Sequence, residues 1–302
     1  MTNTKIINGI GIDETFAEAF PMVGTRIIVT ARTERWAMNA GLAFTGFATS
    51  VIGCGCEAGI EKELSPAETP DGRPGVAILL FAMGDDALKH QLTNRLGQTI
   101  LTCPSTACFA GIETGKKAAM GNMIRYFGDG YQLSKVVDGK RFWRIPVMEG
   151  EFLVADYTYY QPAVGGGNLL ILADNGEKAL FACEKAVDAM RKVPNCVLPF
   201  PGGVVRSGSK VGSKYKALFA SSNDAFCPTL KGLAHTQLSP ETGSVLEIVI
   251  DGLSYEDVAA CMKEGIRELI KGGRESGVHR ISAGNYGGNL GPFHFKLHEL
   301  LP

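Results

Sequence analysis

Residues 167–200 read GNLLILADNGEKALFACEKAVDAMRKVPNCVLPF, and the change of period inside this stretch decides the fold. Gly167–Ala173 predicts a strand, Glu177–Val193 a helix and Cys196–Phe200 a second strand. Downstream the pattern continues with a strand at Ser244–Leu253. A helix follows over Tyr255–Gly272, with Ser254 as N-cap and Gly272 as stop, and apolar runs at Val278–Gly284 and Phe293–Leu300 close the series. The first half of the chain spells a similar order. Arg26–Ala31 reads as a strand, and Thr33–Phe47 as a helix through the spacing of Trp36, Ala37, Ala40 and Phe44. Ala48–Gly55 and Gly75–Met83 read as strands, Asp85–Gln98 as a helix with Leu88, Leu92 and Leu96 on one face, and Thr99–Cys103 as a return to strand. Both halves match the split βαβ order, so the expectation is an α+β protein of two ferredoxin-like lobes related by internal duplication. Tyr126–Pro162, rich in glycine, charge and aromatics, is read as connecting strands and loops that pack against a lobe or another subunit. The cut is placed near residue 150, giving lobes 1–150 and 151–302.

The bulk numbers narrow the function. A chain of 302 residues holds two domains of ordinary size. With 45% hydrophobic and 20% charged residues and a net charge of -1, no field of one sign suggests nucleic acid. The N-terminal stretch carries acids and no apolar leader, and apolar runs elsewhere break well before the roughly 20 residues that span a bilayer. A cytoplasmic protein without membrane contact is expected. The eight cysteines sit mostly in or beside apolar segments, as buried thiols of a reducing compartment do. Cys54-Gly55-Cys56 does not have zinc-site spacing and has no nearby partners, so no metal is expected.

Three glycine-rich segments suit ligand contact: Ala163–Asn168, Pro199–Lys214 and Ala283–Gly291. The second gathers Arg206, Ser207, Ser209, Lys210, Ser213 and Lys214, which fits phosphate or carboxylate groups, but it lacks the Gly-Lys-Ser/Thr of a P-loop. Glu247 is the most informative residue. Its neighbours in Val245–Ile250 are apolar, and alternation sets it on the side of Val245 and Val249. A carboxyl group desolvated there favours its protonated form and can donate a hydrogen bond to an oxygen gaining negative charge; the alternative is an exposed strand edge. Asn223 and Asp224 present amide and carboxylate groups beside Cys227, or simply cap a turn, and Asp129-Gly130 is a turn signal. A thiol nucleophile at Cys227 or Cys54 requires a histidine partner, and His90, His235, His279, His294 and His298 offer no local arrangement.

Eleven short segments, among them DETFAEAF (13–20), TGFATSVIGC (45–54), ETPDGRPGV (68–76), IPVMEGEF (145–152), FPGGVV (200–205), SKVGSK (209–214), SNDAFCPT (222–229), LEIVIDGL (246–253) and ISAGNYGG (281–288), are similar in order to the formylmethanofuran:tetrahydromethanopterin formyltransferase family. The resemblance spans almost the whole chain. It implies a two-lobed ferredoxin-like fold in a homo-oligomer, usually a tetramer built from dimers, with no tightly bound cofactor. Methanofuran and tetrahydromethanopterin serve as coenzyme substrates, and the formyl group passes directly between their amines through a tetrahedral oxyanion. The family's catalytic glutamate maps onto Glu247, and Ser207 is a second candidate contact with the formyl group. Asn168, Ser209, Lys210, Lys214, Asn223 and Asp224 are the candidates for coenzyme binding. The chain lacks the acidic surplus of salt-requiring archaeal members. Residues 206–218 and 102–111 look closer to the bacterial branch, where the protein resembles the transferase subunit of a formyltransferase/hydrolase complex. Two rival readings stand beside this one, a non-catalytic coenzyme-binding or assembly subunit and a cysteine-dependent acyl hydrolase.

Overall fold

The computed structural model describes residues 4–301. Contacts divide the chain into two compact units: one runs from Met22 to Ala163, and the other joins the residues up to Pro21 to those from Val164 onward. The N-terminal segment is built into the second unit. There Ile10–Asp13 lies parallel to the strand at Val278–Ser282, and Phe16–Ala19 pairs antiparallel with Phe293–Lys296. Ile10, Ile12, Ala17 and Ala19 are buried in one core with Ile281 and Phe295, so apolar burial as well as strand pairing holds the segment.

The Met22–Ala163 unit contains the later part of β1 (Phe16–Thr30), α1 (Glu34–Thr45), β2 (Glu57–Leu64), β3 (Gly75–Ala82), α2 (Asp85–Arg95) and β4 (Ala107–Ala110). Across the sheet the strands run β2-β3-β1-β4, all antiparallel. Every residue of β3 is buried. Ile27, Val29, Ile78 and Leu80 meet Phe44 of α1 and Leu88 and Leu92 of α2 in the core. Two strand expectations are corrected. Ala48–Gly55 holds a one-turn helix, Val51–Cys54, because the Ser50 hydroxyl caps it and Gly55 closes it in the left-handed region; the strand is the next segment, β2. Thr99–Cys103 continues α2 through a π-helical turn at Leu96–Ile100, with Thr99 donating to the carbonyl oxygen of Arg95 at 2.7 Å. Beyond β4, Leu133–Val137, Lys140–Val147 and Gly150–Ala155 form an antiparallel meander whose last strand joins β4 in parallel, with Ile145 and Phe152 in the same core.

The second unit uses the later part of β5 (Tyr157–Ala173), α3 (Gly176–Met190), β6 (Cys196–Val197), β7 (Ser244–Gly252), α4 (Tyr255–Gly272) and β8 (Val278–Ser282). The strand expected at Cys196–Phe200 is only the two residues of β6. Here the antiparallel order is β6-β7-β5-β8. In both units the sheet therefore runs fourth, first, third, second in chain order. Leu169, Ile171, Ile248 and Ile250 on one sheet face pack with Cys183, Val187 and Met190 of α3 and Met262 and Ile266 of α4. On the other face Leu170, Leu172 and Val245 meet Leu238 and Phe226 from the long segment between β6 and β7. Among the described residues, no helix is long and apolar enough to cross a membrane.

Candidate active site

Glu247 lies on β7 opposite Leu170 of β5. Ile248 enters the helix-covered core while Val245 packs on the opposite face, so alternation directs Glu247 toward the long segment 198–243. That segment is tied to it directly. The Val205 N–H donates to the Glu247 carbonyl oxygen at 2.7 Å, and the Glu247 N–H donates to the carbonyl oxygen of Val205 at 2.9 Å. The chain then passes exposed Ser207 and turns at Gly208, where φ is 38°. A Cβ at Gly208 would lie 4.0 Å from Glu247 Oε2 and 3.9 Å from Asn223 Cβ, and the Asn223 N–H donates to the Gly208 carbonyl oxygen at 3.0 Å. Carboxyl group, bare backbone and amide side chain thus gather at one point, and glycine keeps that point open.

Electrostatics distinguish Glu247 from an ordinary surface acid. The residue keeps partial solvent contact, yet burial alone pushes its carboxyl up to about 7. A large neutral fraction near neutrality follows, with an O–H available to donate. For Tyr286, half-buried, burial and the nearby negative charge of Glu247 raise the hydroxyl above the usual tyrosine range.

The other expected residues divide into two groups. Ser209 and Lys210 lie on Ser209–Val211, which pairs with Ala220–Ser222, and Asn223 and Asp224 follow directly on the second strand of that hairpin. Lys210 Nζ donates to Asp224 Oδ2 at 2.6 Å and holds that carboxyl below the usual carboxylate range. Lys214 is exposed at the hairpin tip. Asn168, 5% exposed, is differently engaged: its amide nitrogen donates to the carbonyl oxygens of Gly166 and Gly284, and its oxygen accepts from the Gly284 N–H at 2.6 Å. It clamps the root of the 283–291 loop and has little hydrogen-bonding capacity left for a ligand. The Cys227 thiol donates to the Asn223 carbonyl oxygen at 3.3 Å, a backbone partner rather than a base. Sequence reasoning did not single out Tyr286, although it marked the glycine-rich segment around it, nor Glu18 inside the quoted DETFAEAF run.

Models of the formylmethanofuran-tetrahydromethanopterin formyltransferase family match residues 5–147 and, as its proximal lobe, residues 150–300. The chain belongs to this family. Among formylmethanofuran–tetrahydromethanopterin formyltransferases, that of Methylococcus capsulatus is 64% identical over 296 residues, covering 98% of this chain and 99% of the relative. The corresponding chain in the formyltransferase/hydrolase complex from Methylorubrum extorquens, solved with methylofuran, superposes with a TM-score of 0.97 at 54% identity, covering 99% of both chains. The Methanosarcina barkeri formyltransferase superposes with a TM-score of 0.92 at 45% identity, covering 98% of this chain and 100% of that one. Within the formyltransferase proximal lobe lie Glu247, Ser207, Gly208, Asn223 and Tyr286.

Proposed function

We propose that the chain is a transferase that moves a formyl group between methanofuran and tetrahydromethanopterin, with Glu247 as the acid facing the formyl oxygen. The amine nitrogen of one coenzyme forms a bond to the formyl carbon, and the carbonyl π electrons move onto oxygen. Collapse of this tetrahedral intermediate re-forms the carbonyl and breaks the bond to the first nitrogen, which takes the proton that the attacking amine gives up. A neutral Glu247 donating to the oxygen stabilises the charge only as it develops, which accelerates the reaction rather than merely binding substrate. The observation that carries this is a desolvated carboxyl group next to the open backbone of Gly208. Ser207 is read as a second contact to the formyl group, and Ser209, Lys210, Lys214, Asn223 and Asp224 as coenzyme contacts. Asn168 acts through the loop it clamps. Glu247→Ala is expected to lower kcat by roughly 10²-fold or more, the effect of losing an oxyanion donor, while both coenzymes still bind. Unchanged turnover would remove Glu247 from this role.

The shared fourth-first-third-second strand order supports reading the two units as duplicated ferredoxin-like lobes. The Methylorubrum relative is one of the subunits of a formyltransferase/hydrolase complex. By analogy this chain is read as a cytoplasmic transferase subunit that associates with hydrolase subunits and with copies of itself, as a dimer of dimers. Sedimentation of the purified chain tests the self-association, and a monomer at micromolar concentration would overturn it.

A further inference from the structure

Glu18, on β1 between Ala17 and Ala19, is fully buried. Its carboxylate accepts four backbone N–H groups from one glycine-rich loop. Tyr286 and Gly288 donate to one oxygen at 2.6 and 2.9 Å, and Leu290 and Gly291 donate to the other, Gly291 at 2.8 Å. With four donors the carboxylate is occupied and has no role left in contacting substrate. The loop depends on it. Gly287 and Gly288 have φ of 79° and 75°, and a Cβ at Gly291 would sit 2.1 Å from the Ala19 carbonyl oxygen. A free chain would not hold this shape against its conformational entropy, whereas a buried anion ringed by N–H groups does. What the loop presents is Tyr286. Its ring lies 6.3 Å from that of Phe20, and its loop springs from Ser282, which pairs with Leu170, the residue that pairs in turn with Glu247, while Gly284 is held to Asn168 on the same strand.

We propose that Glu18 is a positioning residue for formyl transfer, fixing the 286–291 loop so that the Tyr286 hydroxyl contacts the formyl-bearing coenzyme beside Glu247. This rests on the reading of Glu247 given above. The test uses the full chain with both coenzymes, measuring initial rates, coenzyme-binding stoichiometry and amide hydrogen exchange. In Glu18→Gln the new NH2 group opposes two of the four loop donors. Exchange across 285–291 is expected to accelerate about tenfold or more, and kcat to fall about tenfold, with both KM values and the binding stoichiometry within about twofold of wild type. A loss of folded protein would lower the stoichiometry instead. Tyr286→Phe keeps the ring and its neighbours, and is expected to show a similar fall in kcat with loop exchange unchanged. The double variant should be no slower than Glu18→Gln alone, since both changes act through one hydroxyl. Wild-type turnover in Tyr286→Phe, or losses that multiply in the double variant, would overturn the proposal. The Tyr286→Phe result decides even where Glu18→Gln fails to fold. Glu247→Ala run alongside separates the two readings. If it is slow while Tyr286→Phe is normal, only this proposal fails; if it too is normal, the reading beneath it fails.

Discussion

Glu18 and Glu247 both sit among apolar neighbours on strands, and their chemistry diverges through what the backbone offers them. For Glu18, burial raises the pKa, but the N–H groups of Gly291, Tyr286, Leu290 and Gly288 outweigh it and hold the carboxylate ionised. For Glu247 burial stands alone, and the acid titrates at about 7 instead of 4.5. The stability that its proton contributes is fully present below about pH 4.5 and lost as pH rises through about 7. Glu247→Gln removes the titration, so it should gain on wild type by up to about 3 kcal/mol between pH 4 and pH 8. Urea unfolding at the two pH values checks this, and parallel curves would contradict a desolvated acid. Turnover of the wild type should decline as pH rises through about 7, and the same limb should be absent in the slower Glu247→Gln enzyme. Glu247 was legible because Val245, Leu246, Ile248 and Val249 frame it within one apolar strand. Glu18 has a similar local frame, but its partners lie 268 to 273 residues away, and no local pattern announces them. Tyr286 was illegible for a related reason: positive-φ glycines, not periodicity, aim it.

At the scale of elements, periodicity and caps did most of the specifying. Helix α4 begins after Ser254, whose hydroxyl accepts from the Asp257 N–H at 3.1 Å, and ends at Gly272, as the sequence predicts. Removing that cap in Ser254→Ala should cost about 1 kcal/mol by urea unfolding. Ile266, fully buried in the same helix, offers a sharper probe: Ile266→Ala should cost about 2–5 kcal/mol, and a loss below 1 kcal/mol would mean that the α3–α4 core closes over the gap. The misread elements share one cause. Thr99, Ile100 and Leu101 look like a strand by composition, yet Ile100 follows Leu92 and Leu96 onto the buried helical side. Val51 and Ile52 look apolar enough for a strand, but Ile52 is 74% exposed and the cap at Ser50 governs the backbone. Short apolar runs leave the choice between helix and strand to tertiary packing.

For the whole molecule, charge balance has a measurable result. With a net charge of -1, raising salt from about 0.1 to 1 M shortens the screening length from about 10 to 3 Å without relieving any surplus of one sign. Turnover should change by no more than about twofold across that range, and several-fold activation would show that charge repulsion had been suppressing the enzyme. The alternation of strand and helix from Gly167 to Ser282 was legible from its periods, whereas the residence of residues 4–21 was not, since nothing in DETFAEAF names Phe293–Lys296 as its pairing partner. That residence bears on biosynthesis. Chains emerge from the ribosome at about 5–20 residues per second, and domains fold as they appear. Residues 22–163 can complete their own core early, while Ile10–Asp13, paired at first only with its neighbour Thr4–Ile7, and Phe16–Ala19 must wait for their partners in the second unit until Arg280, Ile281 and Phe293–Lys296 have been translated. The unit that carries Glu247 is therefore the last part of the polypeptide to close, and a nascent chain stalled before residue 280 should expose apolar Ile10, Ile12, Ala17 and Ala19 to chaperones or proteases.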